Sequence, residues 1–330
     1  MTNLYDVTLR DGNHALRHQL TSKFVTAYCE KADEAGLYAV EVGHGNGLGA
    51  SSFLIGKSAE PDFNLLEAAR DNLKKTKLAV HTIPGIATIS KDIIPALDCG
   101  VDIFRVATHC TEANVAEKHI EFLAMKRVVV HGVLMMSHMN SINGLIDQAT
   151  LMKKYGASAI ILMDSAGYFT PREVKIRVDA IKNSVDTEVG FHAHNNLGVA
   201  IANAFEAILA GASIIDGASM GLGAGAGNAQ LENIVSNGLK SSLFNSNLKH
   251  FLELSELTEK AYPENLPRIT ASSIQSGMAG VFSGFAPHVK AISEELGIES
   301  TDLWDEIGKR KLVAGQESMI REVAQDLMNL

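Results

Sequence analysis

Eight short stretches dominated by apolar and β-branched residues recur along the first two thirds of the chain. They are Leu4–Leu9, Tyr38–Gly43, Leu78–Ile83, Ile103–Thr108, Arg127–Met136, Ala159–Asp164, Glu188–His194 and Ser213–Ser219. Between them, apolar residues return every three or four positions, as in Phe63–Lys75, Leu145–Tyr155, Pro171–Val185 and Leu197–Leu209. That spacing predicts helices with one buried stripe. Gly36, Gly100, Gly156 and Gly211 precede strands where a helix should stop, and glycine accepts the left-handed conformation that ends a helix. Pro171 after Thr170 fits a first helical turn. Near-continuous apolar strands alternating with helices predict a parallel sheet covered on both faces.

Eight such units match a (β/α)₈ barrel, which typically takes about 250 residues. A doubly wound open sheet is the competing arrangement. The polar residues favour the barrel, because nearly every strand ends in them: Arg10 and Asp11, Glu41 and His44, Thr108 and His109, His138, Asp164 and Ser165, His192 and His194, Asp216 and Ser219. A barrel gathers those ends on one face, whereas an open sheet spreads them along an edge. After about Ser241 the alternation stops, and Leu248–Ala261, Ala286–Leu296, Thr301–Arg310 and Gln316–Met328 read as helices. Residues 1–262 are therefore expected to form the barrel. Residues 263–330 are expected to form a small helical domain that packs on it or presents a partner surface.

Composition adds exclusions. Among 330 residues, 46% are hydrophobic and 20% charged, an ordinary globular balance. The net charge is -9 and no Lys/Arg run resembles a nucleic-acid footprint. The longest apolar runs, such as Val128–Met136, are too short to span a bilayer, and no basic-then-apolar signal segment opens the chain. The three cysteines, Cys29, Cys99 and Cys110, suggest neither a disulfide framework nor a zinc ribbon. A cytoplasmic enzyme without nucleic-acid or membrane partners is the expectation.

Candidate chemistry concentrates in two distant segments. On a strand, His192 and His194 point to one face and can grip one ion together. Asp11, just past the first strand, can add a hard oxygen ligand, and two imidazoles with one carboxylate leave coordination positions open. The adjacent Arg10 suits a carboxylate or enolate, because its planar fork binds such groups bidentately; Glu41 can orient it. His14 is a candidate general base, since imidazole titrates near neutral pH; a plain loop histidine is the competing reading. The loop Gly43–Gly49 follows the second strand and reads as a substrate-covering segment, with His44 as a candidate contact. Gly221–Asn228 lacks both a Walker A pattern and a clean dinucleotide fingerprint; close backbone packing beside the site fits it better than phosphate binding. His81, His109, His131 and His138 read as barrel-interior histidines.

Together, Asp6-Val-Thr-Leu-Arg-Asp-Gly-Asn-His14, Glu41-Val-Gly-His-Gly-Asn-Gly-Leu-Gly49, Met163-Asp-Ser-Ala-Gly167 and His192-Ala-His-Asn-Asn-Leu-Gly198 resemble the 4-hydroxy-2-oxovalerate aldolase family. So do Ala107-Thr-His-Cys-Thr-Glu112, Leu134-Met-Met-Ser-His-Met139 and Gly223-Ala-Gly-Ala-Gly-Asn-Ala229, and the resemblance reaches Gly315-Gln-Glu-Ser-Met319. This family belongs to the metal-dependent lyases that include HMG-CoA lyase and isopropylmalate synthase. The resemblance implies a TIM barrel with a C-terminal helical domain. It implies Mn²⁺, or else Mg²⁺, Co²⁺ or Zn²⁺, held by Asp11, His192 and His194. It implies Arg10 on a pyruvate enolate, Glu41 holding Arg10, His14 as base and Ser165 on the keto acid. It also implies oligomers and a partner, an acylating acetaldehyde dehydrogenase that receives the aldehyde. In one departure, Gly280-Val-Phe-Ser-Gly284 carries Phe282 where the family usually has Tyr, so a hydroxyl near the substrate's C4 is missing. Asn46 stands where Asp is common. Competing functions are an acetyl-CoA-dependent Claisen condensation, a non-haem iron oxygenase and a non-catalytic partner scaffold.

Overall fold

A computed structural model describes residues 2–313 and 315–329. Its strands are β1 (Asn3–Asp6), β2 (Ala39–Glu41), β3 (Lys77–Thr82), β4 (Ile103–His109), β5 (Val129–Met135), β6 (Ala159–Asp164), β7 (Glu188–Ala193) and β8 (Ile214–Gly217). Each pairs in parallel with the next, and β8 returns to β1, closing the barrel. The open-sheet alternative is thereby excluded. Helices connect the strands on the outside, and Gly36, Gly100, Gly156 and Gly211 all take positive φ where helices yield to strands.

β1 is shorter than its apolar pattern predicts. The Asp6 carboxylate accepts the Thr8 amide at 2.9 Å, and the Val7 carbonyl accepts the amides of Arg10, Asp11 and Gly12. These local bonds curl the chain off the sheet and deliver Arg10 and Asp11 to the barrel mouth. β7 likewise ends one residue before His194, which instead forms an antiparallel bridge to Asn228.

Strand alternation divides the core. Along β4, Phe104 and Val106 join the main cluster under the helices, while Ile103 and Ala107 join the barrel-interior cluster. Between these two interior residues sits Arg105, which is fully buried. Its guanidinium donates to Glu41 Oε2 at 2.8 Å and to Asp216 Oδ2 at 2.7 Å, and it lies over the Tyr5 ring. The middle of the barrel is thus an ionic layer.

The C-terminal segment has its own apolar cluster, centred on fully buried Trp304 with Phe285, Val289, Leu303, Ile307 and Ile320. Four helices build it: Ala271–Ala279, Ala286–Leu296, Ser300–Lys309 and Met319–Met328. The first is not apparent from apolar spacing, because Ala-Ser-Ser-Ile-Gln-Ser-Gly-Met-Ala is mostly small and polar. A capping box between Thr270 and Ser273 starts it and Gly280, at φ 66°, ends it. No helix among the described residues is long and apolar enough to cross a membrane.

Replacing one member of a buried ion cluster leaves its partners charged and unpaired. Arg105→Met keeps most of the side-chain volume but takes the guanidinium from Asp216 and leaves Glu41 with Arg10 alone. It should lower unfolding stability by about 3–5 kcal/mol, read as the shift of the urea midpoint. An unchanged midpoint would refute the assignment of Arg105 as the counter-charge.

Candidate active site

The curl after β1 places Arg10 and Asp11, and the short helix Gly12–Ala15 that follows carries His14. Glu41 is the last residue of β2, His192 lies near the end of β7, and Asp216 lies on β8. Strand ends thus converge on the face where barrel active sites form.

Asp11, His192 and His194 are all buried and bring one donor atom each within 4.8 Å of one another. The two Nε2 atoms face each other at 3.3 Å, and His194 Nε2 lies 3.9 Å from Asp11 Oδ2. His192 Nδ1 is 2.9 Å from Asp216 Oδ2. A carboxylate on one ring nitrogen fixes the tautomer and turns the other lone pair outward, as in metal-binding histidines. Burial lowers the His194 pKa to about 4, with Asp11 opposing the shift, so this imidazole is neutral at pH 7. Burial would raise the Asp11 carboxyl, but Arg10 and the nearby histidines outweigh it and hold the group well below the usual carboxylate range. Two imidazoles and a carboxylate that converge on one point suit a divalent cation.

Arg10 is buried beside this cluster. It donates to Asp11 Oδ1 at 2.8 Å, to the Gly45 carbonyl at 3.3 Å and to Glu41 Oε2 at 3.4 Å. Burial opposes ionisation of Glu41, yet Arg10 and Arg105 keep its pKa well below normal. His81 Nδ1 lies 3.2 Å from its other oxygen. The His14 ring packs flat on the next loop: a Cβ on Gly45 would fall 2.7 Å from its ring atoms. Burial lowers the His14 pKa, Asp11 counteracts and Arg10 reinforces that shift. His14 meets His18 edge-on at 5.2 Å, and His18 stacks on His44 at 3.6 Å.

A cavity of about 230 Å³ opens over these groups. Arg10, Asp11, His14, His194, Ser165 and Phe282 all line it. Ser165 Oγ also accepts the Met136 amide at 3.0 Å. His44 does not line it. That residue is fully buried, with Nδ1 accepting the Asn46 amide at 3.0 Å and Nε2 3.1 Å from the Gly56 carbonyl. Both nitrogens are engaged by its own loop, so the expected substrate contact gives way to a loop-shaping role beneath His18. His109, expected inside the barrel, instead lines the cavity.

Sequence reasoning missed two partners. Arg105 carried a visible signal, a charge in the middle of an apolar strand. Asn228 lay in a family motif, but nothing there pointed to Asp11: its amide donates to Asp11 Oδ2 at 2.7 Å and to the Leu222 carbonyl at 2.9 Å. The Gly221–Asn228 loop packs backbone against the site, and a Cβ on Gly223 would come 2.7 Å from Asp11 Oδ2.

The HMGL-like family model matches residues 2–261 and the DmpG-like communication domain matches residues 267–329. A 4-hydroxy-2-oxovalerate aldolase of Spirochaeta aurantia is 48% identical over 98% of this chain and 95% of its own length. Its namesake in Pectobacterium atrosepticum is 47% identical over 98% and 95%. Among solved structures, the carboxyl transferase domain of Rhizobium etli pyruvate carboxylase superposes with a TM-score of 0.82 at 16% identity. That match covers 99% of this chain and 60% of that one, and it speaks for the fold alone. By matched length and identity, the chain belongs to the 4-hydroxy-2-oxovalerate aldolase family of HMGL-like barrels.

Proposed function

We infer that this protein is a carbon–carbon lyase that cleaves 4-hydroxy-2-oxo acids, with 4-hydroxy-2-oxopentanoate as the reference substrate, to pyruvate and an aldehyde. The observation that carries the reading is Arg10, held between Asp11 and Glu41 at the edge of a cavity that Asp11 and His194 of the Asp11/His192/His194 cluster also line.

Asp11, His192 and His194 would hold the divalent ion, and Asp216 would fix the His192 tautomer. When bound, that ion supplies Lewis acidity toward the oxygens of a 2-oxo acid. Manganese is our choice, and magnesium, cobalt and zinc fit the same donors. His14 accepts the proton of the C4 hydroxyl. The C3–C4 bond then breaks, C4 leaves as the aldehyde carbon, and the bonding pair becomes the pyruvate enolate. The Arg10 guanidinium neutralises the developing negative charge in a water-poor pocket, where such a contact is strongest. Ser165 holds the keto acid, Phe282 walls the C4 side, and a proton delivered to C3 completes pyruvate. Residues 1–262 form the catalytic barrel in this reading. Residues 263–330 face an acylating acetaldehyde dehydrogenase, a role supported by the communication-domain match.

Pyruvate release from racemic 4-hydroxy-2-oxopentanoate, coupled to lactate dehydrogenase, should require Mn²⁺ and stop in EDTA. Absence of pyruvate with Mn²⁺ present would overturn the aldolase reading. Arg10→Ala should lower kcat by about 10²–10³-fold, the usual cost of losing one transition-state anion contact, with metal content retained. His192→Ala should instead lose the metal by elemental analysis; the reverse pattern would reject both roles. The base must be neutral to act, and its pKa is pulled below the ordinary 6.5 of imidazole. The acid limb of kcat/KM should therefore fall below pH 6.5, with full activity above it. A limb above pH 7 would exclude His14 as the base.

A further inference from the structure

The third residue beyond the β7 strand is Asn196, two positions after His194, and its side chain is fully buried. Its amide does not serve the active site. It reaches across to the C-terminal segment, donating to Ser276 Oγ at 2.9 Å and to the Ser273 carbonyl at 3.1 Å. Ser283 Oγ lies against both ends of the amide, 2.9 Å from Nδ2 and 3.1 Å from Oδ1. Ser276 and Ser283 are themselves buried. A single primary amide therefore turns both its N–H donors and its carbonyl oxygen toward one helix and the turn that follows it.

The surrounding glycines show how closely the parts meet. A Cβ on Gly277, in helix Ala271–Ala279, would fall 2.9 Å from Asn196 Cβ. A Cβ on Gly167, two residues after Ser165, would fall 2.8 Å from the Asn196 backbone nitrogen. Asn196 thus sits where three pieces converge: the β6 loop carrying Ser165, the β7 loop carrying His194, and the segment carrying Phe282.

Phe282 is fixed from both sides. Its predecessor Val281 is buried in the C-terminal cluster and donates its amide to the Ser276 carbonyl at 2.9 Å. Its successor Ser283 is the residue that Asn196 clasps. Phe282 itself is partly buried and lines the cavity. The position of this wall therefore depends on the amide of a residue that touches no reacting atom.

We propose that Asn196 is a positioning residue that sets the distance of the Phe282 wall from the site and thereby selects the size of the group on C4. The proposal rests on the retro-aldolase reading and adds the element that controls its aldehyde end. Asn196 acts through Ser276 and Ser283 and leaves the Asp11/His192/His194/Arg10 end of the site untouched. A wall shifted by about an ångström is enough to change productive binding substantially, because cores transmit small displacements rather than absorbing them.

The test separates the two ends of the substrate. Exchange of the pyruvate C3 protons with D₂O under Mn²⁺, followed by NMR, needs only the enolate-forming end. The ratio of kcat/KM for 4-hydroxy-2-oxopentanoate over 4-hydroxy-2-oxohexanoate reads the aldehyde end. Asn196→Ala should keep exchange within about twofold of the unaltered protein while changing the chain-length ratio about tenfold, mostly through KM. Ser283→Ala, a smaller perturbation suited to the case in which Asn196→Ala fails to fold, should shift the ratio in the same direction. Asn196→Asp keeps size but loses both N–H donors, so it should behave like alanine and not like asparagine. Parallel loss of exchange and cleavage in Ser283→Ala, or an unchanged ratio in variants that fold, would overturn the proposal. If the unaltered protein itself neither exchanges pyruvate protons nor cleaves either substrate, the retro-aldolase reading falls and this proposal with it.

Discussion

The arrangement of the whole site hangs on one buried cation. Arg105 does not line the cavity, yet its two arms reach Glu41 on β2 and Asp216 on β8, the two strands that flank β1. Glu41 in turn faces Arg10, and Asp216 faces His192. Without Arg105, Asp216 would lose its guanidinium partner and Glu41 would keep only Arg10, in a medium that penalises charge heavily. With it, both remain ionised: burial raises the Asp216 carboxyl but Arg105 outweighs it, as it helps to do at Glu41. The group that faces Arg10 and the group that faces His192 are therefore geared to the same guanidinium. A shift of either ought to be felt by the other, since the chain of contacts is short and rigid.

The cavity above this layer has two walls of different origin. The polar wall comes from strand ends of the barrel, Arg10, Asp11, His14, Ser165 and His194, and each is braced by neighbours on adjacent strands or loops. The apolar wall draws on Met135, Met136 and Val115 from the barrel and on Phe282 and Val313 from the C-terminal segment. The two parts of the chain have separate apolar clusters, and polar contacts help to fix their join. Besides Asn196, the His138 ring stacks on Tyr168 and its Nε2 lies 2.9 Å from the Gly280 carbonyl. Joins of this kind are directional, and they fix a geometry more tightly than an apolar seam of equal area would.

Much of this was legible in the chain itself, for identifiable reasons. The barrel follows from eight apolar strands separated by helix-period segments, and the mouth from the polar residues that end those strands. Asp11, His192 and His194 were legible as one possible donor set from their types and the strand alternation, and the structure brings their donor atoms together. Strand ends were less legible: Thr8 and Leu9 are apolar or β-branched, but the Asp6 side chain competes for the backbone and turns it away. His44 misled because a histidine in a glycine-rich loop looks like a ligand, whereas here the ring is spent on shaping the loop. Arg105 was visible as an anomaly but not as a hub, since its partners lie 64 and 111 residues away. Asn196 falls inside the motif His192–Gly198, but nothing in its type or spacing assigns it a partner. Asparagine is ordinary after a strand, and its partners are serines in a helix that apolar spacing does not reveal.

The glycines that press against the polar wall carry a consequence for how such a site diversifies. Gly223 has no room for a side chain beside Asp11, and Gly45 has none beside His14. New bulk at either position would collide with Asp11 or His14, so that half of the pocket is closed to gradual change. The half built from Phe282, Val313, Val115 and Pro84 is bounded by side chains that can be trimmed or enlarged one methylene at a time. Lineages of this fold can therefore explore new aldehydes by drift at the apolar wall while the pyruvate-making end stays frozen, and a designer seeking longer products inherits the same asymmetry.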